Sequence, residues 1–245
     1  TLREQGLDGS PRRLGERQAD DGVRGVELWV SDLTFAGTYL VKDIHPSGSS
    51  YPADVNSLSS AMTPWNGLVA FTADNGLNGR ELWRSDGTQQ GTFMIKDVYL
   101  GDAFASSSPS WITNVNGTLL FTAYNSTYGY ELWKSNGTSA GTVIVKDIIP
   151  GPIGSFPGWL TNVNGTVFFS AADDVAYNLE LWKSDGTANG TVLVKDIHPT
   201  NGSEPSQLVN VNGTLFFTAY DAADDLELWK SDGTAQGTVR VKDIN

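Results

Sequence analysis

Acidic side chains recur through this chain in a fixed setting. Glu27, Glu81, Glu131, Glu180 and Glu227 each open a Glu-Leu-Trp tripeptide, and Asp43, Asp97, Asp147, Asp196 and Asp243 each follow a Lys in Lys-Asp-Ile or Lys-Asp-Val. Carboxylates at a fixed separation equip general acid–base and glycoside-cleaving sites, so their first reading is catalytic. Other residues suit recognition. Trp111 and Trp159, with Gln207 at the same point of a later copy, are followed three residues on by Asn114, Asn162 and Asn210. An aromatic face beside amide donors and acceptors is what sugar recognition combines. Asp173, Asp174, Asp224 and Asp225 crowd two loops and are candidate calcium ligands, because hard cations take several oxygens. The corresponding loop Ala123–Tyr130 has no acid, which favours a solvated acidic loop over a metal site. His45 and His198 share one slot in different copies and make no metal site together.

What must position these residues is a repeat. The Glu-Leu-Trp tripeptides are spaced 54, 50, 49 and 47 residues apart, a period typical of propeller blades. Each runs into a Ser-Asp-Gly-Thr turn, altered to Ser-Asp-Leu-Thr in the first copy and Ser-Asn-Gly-Thr in the third, and ends at Lys-Asp. Ahead of the later copies lies a second hairpin, such as Trp159 to Ala171, whose Asn-Gly pair suits a type I′ turn. Each unit therefore reads as four short antiparallel strands. Apolar residues alternate onto both faces, as with Leu215 and Phe217 against Phe216. A lone sheet cannot bury two faces, but like sheets packed around a ring can.

The expected fold is all-β, a five-bladed β-propeller of four-stranded antiparallel blades with a degenerate first blade. Residues 27–245 would form a single propeller domain. Residues 1–26, which hold five of the chain's eight Arg and little apolar alternation, would be an irregular N-terminal arm or the degenerate start of the first blade.

Pairing Ser231 with Thr238 sets Trp229 opposite Arg240 and Glu227 opposite Lys242, an opposite-charge cross-strand pair. The same register pairs Glu27 with Lys42, Glu81 with Lys96, Glu131 with Lys146 and Glu180 with Lys195. On this reading Glu and Lys are register pins, Asp232 an Asx turn and the repeated Trp a packing element, which removes the recurrent acids from catalysis.

"ELWKSDGT" at Glu180 and Glu227, with "GTVLVKDI" from Gly190 and "ADNGLNGRELW" from Ala73, resembles the ELWxxDGT repeat family across residues 19–245. That resemblance implies an extracellular or surface repeat protein and carries over no catalytic residue. A looser similarity, in blade number and length alone, is to five-bladed tachylectin-type lectins.

A net charge of −12 argues against nucleic acid as partner, and no apolar run approaches the roughly 18 residues of a membrane-spanning helix. The chain has no Cys, so thiolate chemistry is excluded. Of its Asn-X-Ser/Thr sequons, Asn125 and Asn201 in longer loops are the candidate glycosylation sites. Together these point to a non-catalytic, secreted or cell-surface, multivalent ligand-binding module for carbohydrate, with no cofactor required. The alternative is a structural or adhesive scaffold that binds extracellular protein or itself, and a glycoside-acting enzyme is the least favoured reading.

Overall fold

A computed structural model describes residues 2–5, 11–53, 62–101, 105–223 and 225–243, and these form five antiparallel sheets of four strands each. The first sheet holds β1 (Leu2–Gln5), β2 (Pro11–Asp20), β3 (Val26–Ser31) and β4 (Tyr39–Lys42). The second holds β5 (Thr63–Trp65), β6 (Leu68–Asp74), β7 (Arg80–Ser85) and β8 (Phe93–Lys96). The third holds β9 (Ser110–Val115), β10 (Thr118–Asn125), β11 (Gly129–Ser135) and β12 (Val143–Lys146). The fourth holds β13 (Gly158–Val163), β14 (Thr166–Ala172), β15 (Leu179–Ser184) and β16 (Val192–Lys195). The fifth holds β17 (Ser206–Val211), β18 (Thr214–Tyr220), β19 (Leu226–Ser231) and β20 (Val239–Arg240). Consecutive four-stranded meanders are the blades of a β-propeller fold. Two compact units divide the chain, residues 1–112 with 137–142 and residues 113–136 with 143–245. No helix is long and apolar enough to cross a membrane.

Residues 1–26 supply more than an irregular arm. Strand β2 pairs with β3 from Gly15↔Ser31 to Asp20↔Val26, and β1 pairs with β2, so the first sheet has all four strands. Backbone pairing to a neighbour needs no side-chain alternation, so weak apolar patterning does not prevent it. The first β3–β4 turn departs from the others in residue type. Leu33 adopts φ 71, the conformation that Gly87, Gly137, Gly186 and Gly233 take in the other copies. The Asx turns form as expected, with Asp86, Asp185 and Asp232 each accepting from the Thr two residues on. The Thr hydroxyl bonds and backbone donors hold these three carboxyls below the usual Asp range. Asn66, Asn116, Asn164 and Asn212 take positive φ before positive-φ Gly, the type I′ turns expected of Asn-Gly.

In the first four sheets the expected Glu–Lys pairs do not form. Trp29 faces Leu40, but Leu28 faces Lys42, because a one-residue bulge intervenes, and the same shift occurs beside Leu82, Leu132 and Leu181. The bulge moves Lys onto the Leu face, and the Glu is buried elsewhere. The carboxylates of Glu27, Glu81, Glu131 and Glu180 instead clamp the connector leading to the next sheet. Glu131 accepts from Ile149 N, from Ser155 N at 3.0 Å and from Ser155 Oγ at 2.6 Å. Glu27 does the same with Ile44 and Ser50, Glu81 with Val98 and Ser107, and Glu180 with Ile197 and Ser203.

The displaced Lys reaches forward. Lys42, Lys146 and Lys195 lie 5.9, 5.7 and 5.6 Å over the rings of Trp83, Trp182 and Trp229, and each donates to a Thr carbonyl of the following sheet at 2.7 to 2.8 Å. Around these hooks the facing sheets bury Leu and Phe. Phe168, Leu181 and Val194 of the fourth sheet pack on Leu215, Phe217 and Trp229 of the fifth. The Trp of the tripeptide is thus a packing element.

Removing a clamp leaves buried donors unmatched, so Glu131→Ala should lower unfolding free energy by about 3 kcal/mol in urea titration, and Glu131→Gln by less. Burial pushes the carboxyls of Glu81 and Glu131 up to about 7, against the opposing hydrogen bonds. A raised folded-state pKa gives stability that is full below the unfolded value near 4.5 and is lost as pH rises through about 7. The thermal midpoint should therefore fall between acidic and neutral pH, and the Glu81→Gln/Glu131→Gln pair should flatten that slope.

Candidate functional site

The residues singled out for recognition on the inner strands are largely engaged in the fold. Trp111, Trp159 and Gln207 sit second in β9, β13 and β17 with φ of 55°, 60° and 54°. In β13 and β17 the ladder register shifts there, so each marks a bulge. A bulky residue at positive φ costs about 1 kcal/mol or more, so packing must offset the strain. Trp159 does pack, against the cluster between the fourth and fifth sheets, while Gln207 is exposed. The equivalent Ala61 lies outside the described residues.

The Asn amides close turns and tie strands together. Asn162 Oδ1 accepts from Gly165 N at 2.9 Å, and its Nδ2 donates to Asn114 O at 2.9 Å. Asn210 repeats this with Gly213 N and Asn162 O, and Asn114 accepts from Gly117 N. Thr113 and Thr161 hydroxyls donate across the same inner strands to Leu160 O and Leu208 O. These amides form a ladder within the fold.

An aromatic cluster that the sequence reading did not single out lies in the second unit. Rings of Tyr124 and Tyr130 are 5.2 Å apart between centroids, Tyr130 and Phe156 5.4 Å, and Phe156 and Tyr177 5.4 Å. The four rings run in one series, tilted or edge-on, the geometry aromatic quadrupoles favour. Phe156 is 42% and Tyr177 51% exposed, so the far end of the series is open to solvent.

The clamp builds this series. Glu131 fixes Ser155, the following Phe156 takes φ 52, and its N–H donates to Tyr130 O at 3.0 Å. Tyr51, Ser108 and Glu204 take the same left-handed conformation after Ser50, Ser107 and Ser203. The backbone is constant and the side chain is not. Tyr124 likewise stands where the other sheets have Asp74, Ala172 and Tyr220, and Tyr130 where they have Arg80, Leu179 and Leu226. The signal was present in the sequence as variation within the repeated frame, at the residue preceding Glu-Leu-Trp.

Tyr177 is followed directly by Asn178, which lines a polar cleft of ≈ 170 Å³ with Asp173, Asp174, Asp196, His198 and Asn201. Asp174 is committed to its own loop, accepting from Ala176 N at 3.0 Å and from Asn178 Nδ2 at 3.2 Å. His198 Nδ1 accepts from Asn201 N at 3.0 Å. Glu180, at the cleft wall, is buried and holds its connector, and burial raises its pKa. Among the described residues no group of three His, Cys, Asp or Glu is placed to hold a metal. Of the four calcium candidates, Asp173 and Asp174 share the cleft, and Asp225 donates its N–H toward Asp221 Oδ1 at 3.4 Å. Asp224 lies outside the described residues. The sequons fall apart from one another, Asn201 exposed at the cleft and Asn125 half-exposed, its Oδ1 accepting from Thr127 N.

Chemically the arrangement can stack and hydrogen-bond. Ring faces meet the apolar faces of sugar rings, and carboxylate, amide and imidazole groups nearby meet hydroxyls. The amide ladder makes a separate expectation: Asn162→Ala should lower the unfolding free energy by about 1 to 2 kcal/mol in denaturant titration, through two lost hydrogen bonds.

No protein-family model matches the sequence, and no curated protein matches it. Solved structures do resemble the fold. A puromycin hydrolase aligns with a TM-score of 0.53 at 13% identity over 95% of this chain and 36% of its own. Oligopeptidase B from Leishmania major aligns at 0.52 and 13% over 93% of this chain and 31% of its own. A puromycin-hydrolyzing peptidase from Mycobacterium tuberculosis aligns at 0.50 and 14% over 98% of this chain and 37% of its own. The chain spans about a third of the length of each, and at these identities the likeness is one of fold.

Proposed function

We propose that this chain is a non-catalytic ligand-binding module of the β-propeller class, secreted or displayed at a cell surface, and that its ligand is carbohydrate. The observation that carries the reading is the ring series Tyr124–Tyr130–Phe156–Tyr177, exposed at Phe156 and Tyr177 and continued along the chain into a polar cleft. Sugar ligands need both chemistries at once, an apolar face and oriented hydroxyl partners. The resemblance of the repeats to the extracellular ELWxxDGT family supports the location.

The acids weigh against catalysis. A glycosidase places a general acid and a second carboxylate across an accessible bond. Here Glu27, Glu81, Glu131 and Glu180 are buried and hold connectors, while Asp86, Asp185 and Asp232 close turns. No pair is left facing a shared cleft among these.

Binding can be measured by calorimetry against a panel of oligosaccharides. Phe156→Ala and Tyr177→Ala should each weaken binding roughly tenfold, about 1.4 kcal/mol, with the unfolding midpoint nearly unchanged. Loss on Trp111→Ala or Trp159→Ala instead, with the Phe156 variant unaffected, would move the site to the inner strands. A folded wild type that binds no glycan would sink the proposal.

A further inference from the structure

Four hairpins turn through the same two residues. Asn66-Gly67, Asn116-Gly117, Asn164-Gly165 and Asn212-Gly213 take positive φ at both positions, 49° to 53° at Asn and 78° to 89° at Gly. Asn-Gly is also a dipeptide prone to rearrange through its own side chain, because Gly places no side chain beside its backbone nitrogen. That nitrogen, once it gives up its proton, attacks Asn Cγ. The N–Cγ bond forms, the side-chain nitrogen leaves as ammonia, and water opens the resulting five-membered succinimide to aspartate or to isoaspartate.

Three of the four turns carry a guard against this step. Gly117 N donates to Asn114 Oδ1 at 3.0 Å, Gly165 N to Asn162 Oδ1 at 2.9 Å and Gly213 N to Asn210 Oδ1 at 2.9 Å. A nitrogen whose proton is held by an acceptor gives it up less readily, and the bond opposes rotation of the Gly nitrogen toward Asn Cγ. In the second sheet Pro64 stands at the guarding position, three residues before Gly67, and its ring has no acceptor. Pairs outside the hairpins are guarded by other side chains. After Asn75, Gly76 N donates to Asp74 Oδ1 at 2.7 Å, and after Asn189, Gly190 N donates to Thr187 Oγ1 at 3.0 Å.

We propose that Asn66 is a self-modification site: of the four hairpin Asn, it converts to aspartate or isoaspartate ahead of the other three, with water as co-reactant. The comparison is internal to the chain, since the dipeptide and its conformation are shared and the guarding residue is not. Conversion replaces a neutral amide by a carboxylate at the β5–β6 turn. The isoaspartate form routes the backbone through Cβ and lengthens a two-residue turn, so it would loosen the short ladder that runs from Thr63↔Ala70 to Trp65↔Leu68. The proposal is independent of the ligand, because no residue of the ring series or its cleft takes part.

Incubation of the full chain at mildly alkaline pH, followed over time by peptide mapping with tandem mass spectrometry, tests this. Asn66 should gain the mass of amide-to-carboxylate conversion, about 1 Da, roughly fivefold faster than Asn116, Asn164 and Asn212, the factor a single hydrogen bond is worth. Pro64→Asn supplies the missing acceptor and should slow Asn66 to the rate of Asn116. Pro64→Ala removes the ring without supplying an acceptor and should leave Asn66 fast. Asn162→Ala should bring Asn164 up to the Asn66 rate and leave Asn212 unchanged, which separates loss of the guard from a general loosening that speeds every site. Equal rates at the four turns of the wild type overturn the proposal. So does a folded Pro64→Asn variant in which Asn66 converts as fast as before, a gain of protection that no folding defect can mimic.

Discussion

The structure depends on a buried carboxylate. Burying an ionisable group costs several kcal/mol unless donors surround it, and Glu27, Glu81, Glu131 and Glu180 meet that condition by each gathering two backbone N–H groups and a Ser hydroxyl from the connector ahead. The connector has no regular hydrogen-bonding of its own in this stretch, so the carboxylate substitutes for secondary structure. It fixes where the next sheet begins. It also forces the residue after the Ser into a left-handed conformation, with that residue's N–H returned to the strand just before the Glu. One side chain therefore determines the path of about half a dozen residues, and desolvation outweighing its hydrogen bonds is what raises its pKa.

A second device makes the first compatible with packing. Without the bulge beside Leu28, Lys42 would oppose Glu27 and the two would neutralise each other on one sheet. With it, the acid is free to turn toward the connector and the base toward the following sheet. The separation lets one strand pair secure both its covalent successor, through Glu, and its packing neighbour, through Lys. An ion pair would have stabilised a single sheet only; the divided arrangement stabilises the succession of sheets.

Much of this was legible in the sequence because it is local. The type I′ turns at Asn116 and Asn164, the Asx turns at Asp86 and Asp185 and the four-strand unit all follow from residues a few positions apart. The Ser231–Thr238 pairing and the Trp229–Arg240 register were read correctly for the same reason. The Glu–Lys pairing was misread because a bulge leaves no mark in composition, and a one-residue offset reverses the face of every side chain beyond it. Residues 1–26 left two readings open, arm or start of the first blade, because the backbone partner in β3 lies across a turn and Arg-rich composition hides pairing capacity. The ring series escaped notice because Tyr124 and Tyr130 come from two strands of one sheet and Phe156 and Tyr177 from two loops, and only the clamp brings Phe156 onto Tyr130.

The division between constant and variable positions then has a physical basis. Positions that contact the carboxylate, the bulge or the neighbouring sheet cannot change without unmatched donors or lost burial, so Glu, Leu, Trp, Ser and Lys recur. Positions one residue away, such as that of Phe156, inherit a fixed backbone and an outward direction but no packing requirement. Such a position takes Tyr51, Ser108, Phe156 or Glu204 in the same left-handed backbone conformation. A frame of this kind confines chemical novelty to its rims. On that ground the aromatic series outranks the inner-strand amides as the candidate recognition surface: Asn114, Asn162 and Asn210 recur because the ladder needs them, whereas nothing in the frame needs the tilted and edge-on rings in series with Phe156.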